Sequence, residues 1–403
     1  GQRQQQRAGP RRAGGGRHRC DRGAHHTLLG AALSAAREDV LLLQGDCLTQ
    51  LAGWSAEARA DLVYLDPPFN TSKDFGMFRD VWSWDAAAGR ELSSLAELGD
   101  RGRRAAALLE GLHRALGPCS LLAYSVFLAR RLWVLVERVL SPAGSLVLHC
   151  DPATSHSSKL LLDALLGPDC FLNEIVWHYR RWPVRSRCLQ RMHDVLLFYR
   201  GSPAHDAQRP FTQLLGERTL STQRRWGTAR IRAHHDARGQ RLPSHAEEEA
   251  SPGVPLADVW DLPILAPSAR ERVGFPTQKP LHLLVRLVEI TTRPGDLVVD
   301  PFCGSGTTLV AAQQLGRRAV GVDLSAEALA LDDRSVGQHQ EGGRLLLGPD
   351  VGFGGSAGGD RIGHGIALAG GRSSASAARI ARGRGLPHGR ATSDPAKVVA
   401  RLE

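Results

Sequence analysis

The chain has 403 residues, enough to bury a full core and still carry tails or a second module. It is basic, with a net charge of +10, and nowhere approaches the roughly 18 uninterrupted apolar residues of a membrane span; its Gln/Arg-rich start lacks the apolar core of a secretion signal, so a cytoplasmic protein without membrane contact is expected. Seven cysteines form no C-x-x-C pair, which argues against a disulfide framework or a zinc ribbon, and no metal site is expected.

In chain order, residues 1–26 are Gln, Arg and Gly with almost nothing to bury and read as a disordered basic segment. A strand over 40–44 ends at Gly45-Asp46. A second apolar run, 62–65, has the pattern of a strand buried on both faces and stops at Asp66-Pro67-Pro68-Phe69-Asn70. The prolines fix φ and bring no N–H, so the Asp66 and Pro67 carbonyls are held as acceptors beside a carboxylate and a flat ring. That set suits a planar group carrying an amine: Phe69 stacks on its face while Asp66 and the Pro67 carbonyl accept the amine hydrogens. Alternatively, the same tetrad is an ordinary strand-ending turn. Residues 71–84 form a polar, aromatic loop in which Lys73, Asp74 and Phe75 are placed to close over a substrate. The helical pattern over 101–140 breaks at Gly117-Pro118.

A strand over 145–148 closes at His149-Cys150-Asp151, and a helix follows over 155–166. His149 reads first as a satisfied buried histidine, at the same sheet edge as Asp66. From 178 to 257 the strand–helix alternation fails, although 195–199 has the apolar pattern of a strand. Residues 178–242 hold fourteen Arg against four acids, interleaved with rings: Trp177, Tyr179, Trp182, Phe198, Tyr199 and Trp226. With four lysines in the whole chain, arginine enrichment alone is weak evidence. Arginines alternating with rings nonetheless match a surface that grips nucleic acid, with Arg180, Arg181, Arg185, Arg187, Arg224 and Arg225 as candidate contacts.

Gln278-Lys279-Pro280 opens a helix to about Thr292, with Pro280 at its first position. The strand 297–300 then runs into Asp300-Pro301-Phe302-Cys303-Gly304-Ser305-Gly306-Thr307, a helix, and a strand 319–322 ending at Asp323. Strand, glycine turn, helix, strand and acid form the unit that binds a nucleoside-containing cofactor. The third glycine of a dinucleotide fingerprint is missing, as is the lysine of a P-loop, so an adenosine without a pyrophosphate fits better. Residues 339–403, rich in Gly, Arg and Ala, show no sustained period.

Taken together, Gly45-Asp46, the Asp66 tetrad, the strand at 144–151, Asn173-Glu174-Ile175-Val176-Trp177, Gln278-Lys279-Pro280 and the Asp300 turn resemble, in this order, the β-class amino-group DNA methyltransferases. In that arrangement the catalytic motif precedes the cofactor motif. The resemblance implies an α/β, Rossmann-like methyltransferase fold with a mostly parallel sheet and permuted motif order. It divides the chain into a catalytic half (27–177), a target-recognition insert (178–257) and a cofactor half (258–338). Asp66, Pro67, Pro68 and Phe69 become the catalytic residues. Asp46, Lys279, Asp300, Phe302, Gly304, Gly306 and Asp323 become the S-adenosylmethionine site, with Asp46 at the adenine end, Lys279 near the methionine carboxylate and Asp323 on the ribose. Double-stranded DNA is the implied substrate, a cognate restriction endonuclease an implied partner, and the protein a monomer or homodimer. An Asp at the head of the tetrad goes mostly with adenine N6 in this family. Cytosine N4 is the alternative, and an RNA or protein amino-methyltransferase or an inactive DNA-binding relative are more remote ones.

Overall fold

The computed structural model describes residues 40–75, 78–185, 187–218, 220–226, 253–331 and a few residues between 234 and 242. The basic segment 1–26 and the tail 339–403 lie outside the described residues.

Strand β1 (Val40–Gln44), helix α1 (Cys47–Leu51) and strand β2 (Ala60–Leu65) open the described chain, and a short ribbon of β3 (Lys73–Asp74) and β4 (Arg79–Asp80) follows the Asp66 turn. Helices α2 (Ala86–Leu95), α3 (Gly99–Leu116) and α4 (Ser120–Val134) come next, with the expected break at Gly117-Pro118. Then come β5 (Leu140–Cys150), α5 (Pro152–Leu166), β6 (Phe171–His178) and β7 (His193–Arg200). Small pieces, β8 (Leu215–Gly216), α6 (Leu220–Trp226), β9 (His234–His235), β10 (Arg241–Leu242) and β11 (Val254–Pro255), precede β12 (Val259–Asp261). The chain returns through α7 (Leu281–Thr291), β13 (Leu297–Asp300), α8 (Thr307–Gln314) and β14 (Arg318–Asp323).

Eight of these strands form one sheet in the order β1-β14-β13-β2-β5-β7-β6-β12. Within it β7 runs antiparallel to both neighbours and every other pair is parallel. The apolar run of β2 serves both faces, as its composition predicts. Val63 and Leu65 pack with buried residues of α2 to α5, while Leu62 and Tyr64 pack with those of α7 and α8. Helices on both faces of a mostly parallel sheet make this the expected Rossmann-like, doubly wound α/β fold.

Three expectations are corrected. The stretch 178–257 is not an insert separate from the sheet, because the strand expected at 195–199 is β7, a central strand paired with β5 and β6. Trp177, Tyr179, Phe198 and Tyr199 are accordingly buried in the core and unavailable to DNA, the first two on or beside β6 and the last two on β7, a strand buried on both faces. At helix starts, Asp151, whose carboxylate accepts the Ala153 amide, caps α5 four residues before the expected start at 155, and Pro280 is the cap of α7 instead of its first residue.

Candidate active site

Strands β13 and β2 are neighbours, with Val298 beside Leu62 and Val299 beside Val63, so the Asp66 turn and the glycine turn emerge side by side at the carboxyl edge of the sheet. On the other flank Gln44 pairs with Asp323, and the Gly45 amide donates to the Asp323 carbonyl at 2.9 Å, bringing the Gly45-Asp46 turn to the same edge. The three turns surround a cavity of about 320 Å³. Five carboxylates line it, those of Asp46, Asp66, Asp80, Asp300 and Asp323, against two cations, Arg131 and Lys279.

Asp66 is held from both sides. Lys279 Nζ donates to its Oδ2 across 213 residues of chain, with both side chains mostly buried. Its Oδ1 is buried without a hydrogen-bond partner, 3.8 Å from His149 Nδ1. His149, fully buried, is itself fixed by the Tyr64 hydroxyl at 2.9 Å and by Asp194 at 3.2 Å. Asp194 also accepts from the Tyr179 hydroxyl at 2.8 Å, and Arg181 donates to Tyr179 at 3.2 Å. Burial alone would raise Asp194, yet the bonds from His149 and Tyr179 and the charges of His149 and Lys279 hold its carboxyl below the usual range. The Phe69 ring completes the group, 5.5 Å from the His149 ring and 5.1 Å from Lys279 Nζ. His149 is thus the satisfied buried histidine of the first reading, and it also backs the Asp66 turn.

The tetrad's continuation is stapled by Asp80 at the end of β4. This buried carboxylate accepts the amides of Asn70 and Thr71, each at 2.7 Å, the Thr71 hydroxyl at 2.6 Å and the Trp82 indole at 3.1 Å. Four donors on one carboxylate hold Asn70 and Ser72 in left-handed conformations, each with φ of 59°. Beyond the staple, Phe75 stacks on Phe78 at 4.9 Å and Phe78 on Phe275 at 6.1 Å, forming an aromatic wall of the cavity.

The glycine turn is built as the sequence requires. Gly306 caps α8 in the left-handed region, and Gly304 has φ of +53° with Phe275 so close that a Cβ would meet its ring at 2.9 Å. Asp323 accepts the Gly304 amide at 3.0 Å and the Ser325 amide at 2.8 Å, which leaves further lone pairs facing the cavity. Burial pushes its carboxyl upward against those bonds. Asp300 is fully buried, bonded to the Phe302 amide at 3.0 Å, and burial pushes it up to about 7. Asp46 does both things weighed for it: it caps α1 through the Leu48 amide at 2.8 Å and stands at the cavity edge, bound by Arg131 at 2.6 Å.

Arg180, Arg181, Arg185, Arg187 and Arg224 are exposed, the first four on the loop joining β6 to β7, while the side chain of Arg225 lies outside the description. Sequence patterning marks neither Asp80, Arg131, Asp194 nor Phe275. Of these only Asp80 carries a local signal, a lone acid inside an aromatic stretch.

The fold and site together define an α/β protein in which one cavity joins a glycine turn to an acidic, aromatic turn. The family model for N6/N4-type DNA methylases matches residues 60–332, more than half of the chain, and the chain belongs to this family. It is similar to the DNA adenine methyltransferase YhdJ of Escherichia coli K12, with 25% identity over 296 residues, 73% of this chain and 82% of that one. It is also similar to the Type II methyltransferase M2.DpnII of Streptococcus pneumoniae, with 40% identity over 94 residues, spanning 23% of this chain and only 35% of that relative's length. Among solved structures, the PvuII cytosine-N4-specific DNA methyltransferase superposes with a TM-score of 0.46 and 12% identity over 74% of this chain and 86% of that one.

Proposed function

We propose that this protein transfers a methyl group from S-adenosylmethionine to the exocyclic amine of a base flipped out of double-stranded DNA, adenine N6 first and cytosine N4 as the alternative. The observation that carries the reading is the meeting of the Asp66 turn and the glycine turn in one cavity from adjacent strands. A cavity with five carboxylates against two cations, walled by aromatic rings, fits a flat adenosine bearing a cationic centre. Gly304 and Gly306 would admit the ligand close to the backbone, Phe302 would pack on the base, and Asp323 would accept from ribose hydroxyls. Asp46 would face the adenine through its edge position, and Asp300 would hold the turn from below.

S-adenosylmethionine supplies an electrophilic methyl on a sulfonium. An aromatic amine is a poor nucleophile because its lone pair is delocalised into the ring. Asp66 Oδ1, buried and unpartnered, would accept one N–H and the Pro67 carbonyl the other, drawing the nitrogen towards tetrahedral geometry and freeing the lone pair. Lys279, bound at Oδ2, would hold the carboxylate in place at the cavity. Pro68 keeps the turn rigid, and Phe69 replaces the lost base stack with one worth about 1–3 kcal/mol. The shed proton passes to Asp66 and on to water. No covalent bond to the protein forms.

The exposed arginines would bind the DNA backbone. A cognate restriction endonuclease, a cytoplasmic setting and a monomeric or homodimeric state are part of the same reading. Labelled methyl transfer to duplex DNA, set against RNA and protein substrates, tests it. Asp66→Ala should lower transfer at least a hundredfold while sparing cofactor affinity; transfer surviving within tenfold would remove Asp66 from its role.

A further inference from the structure

The loop joining β6 to β7 carries a feature that phosphate binding does not explain. Residues 179–192 contain five arginines and no acid, yet three large apolar side chains stand in water among them: Trp182 is 90% exposed, Leu189 98% and Val184 68%. Large apolar groups gathered on one exposed loop mark a surface made to be covered. The loop is also preformed. The Tyr179 amide donates to the Met192 carbonyl at 2.8 Å across its base. Higher up, the Gln190 side chain donates to the Trp182 carbonyl at 2.8 Å and accepts the Val184 amide at 3.3 Å. One amide thus ties the two arms together just where Trp182 and Leu189 emerge.

Its position is set by the sheet. β5 lies beside β2, with Leu148 opposite Leu65, and β7 lies beside β5, with Val195 opposite Cys150. The loop therefore rises from the same edge as Asp66, and Arg191 anchors it to Asp151 at 2.8 Å. A cross-tied finger with apolar tips and a cationic flank, standing beside a pocket for an extruded base, matches a duplex in both its chemistries. Phosphates take the arginines, and the base stack takes the apolar side chains.

We infer that Trp182 and Leu189 form a wedge that enters the DNA stack and occupies the space vacated by the target base. The inference rests on the DNA methyltransferase reading above. Apolar wedges of this kind unstack a base step and stabilise the opened duplex through stacking contacts.

The test uses duplexes taken from methylated positions mapped by single-molecule sequencing in cells expressing the full chain. With 2-aminopurine at the target base, the wild-type protein should raise the fluorescence on binding, and the Trp182→Ala/Leu189→Ala double variant should not. The double variant should also lose at least tenfold in turnover on the intact duplex. A duplex with an abasic site opposite the target, where the stack is already open, should restore it to within about threefold of wild type. Equal fluorescence from both proteins, or equal turnover losses on the intact and abasic duplexes, would overturn the wedge. A double variant that keeps the fluorescence rise but shows a smaller sedimenting mass would assign the loop to a second copy of the chain and overturn it as well. Absence of methylation by the wild-type protein on any DNA would instead strike the function itself.

Discussion

Lys279 sits on Asp66, joining the residue before the cap of α7 to the end of β2 across 213 residues, and this ion pair leaves the second Asp66 oxygen buried and empty-handed. Removing one partner strands the other's charge in a mostly buried place, whereas removing both does not. Lys279→Met should therefore cost about 3 kcal/mol of stability, and adding Asp66→Asn should restore most of it. Chemical denaturation of the two single variants and the double variant gives the coupling; additive effects would mean that the pair is not held in solution.

Asp300 predicts a pH dependence. Burial raises its carboxyl from 3.8 to about 7, so between those values the folded chain keeps a proton that the unfolded chain has released. Its stabilising contribution is complete below the lower value, declines as pH rises and is gone above the higher one. Asp300→Asn should flatten the fall of unfolding free energy between pH 5 and 7 by up to about 1.4 kcal/mol per pH unit, the effect of one proton. An unchanged slope in ligand-free protein would contradict the burial argument.

Gly304→Ala combines a left-handed backbone with a collision against Phe275. The strain alone is about 1–2 kcal/mol. Calorimetry with S-adenosylmethionine should show affinity lowered at least tenfold, and Phe275→Ala in the same chain should recover part of the loss by clearing the ring. Full affinity in the single variant would show that the turn has room to spare.

Charge removal on the β6–β7 loop should be read through salt. Arg180, Arg185 and Arg187 are exposed there, and each phosphate contact contributes about 0.9 to the slope of log affinity against log salt. Replacing all three with Ser should reduce the slope by about 2–3. A parallel shift with an unaltered slope would place the contacts elsewhere.

Much of the site was legible because its parts are local. The Asp66 tetrad and the Gly304–Gly306 turn each announce themselves at a strand end, and the apolar runs before them are long enough to be central strands. What escaped reading depends on distance or on orientation. Lys279 and Asp66 meet only because β13 slots in beside β2, and Asp194 reaches His149 only because β7 enters the sheet antiparallel. The rings of Trp177, Tyr179, Phe198 and Tyr199 alternate with charges in a way that fits a binding groove and a buried strand equally well; only strand pairing separates the two. Asp80 is a single acid that takes three bonds from the turn it closes and one from Trp82, an arrangement without any spacing signature.

The placement of β13 between β14 and β2 has a consequence for biosynthesis. Among the described strands the first in the chain, β1, hydrogen-bonds to the last, β14, so a nascent chain that has not passed residue 297 has this sheet with its middle missing. Such a chain already carries Asp66 and its tetrad but no glycine turn, so the cavity between the two turns does not yet exist. Closing such distant pairings also slows folding, and the cavity is complete only after β13 and β14 have been inserted.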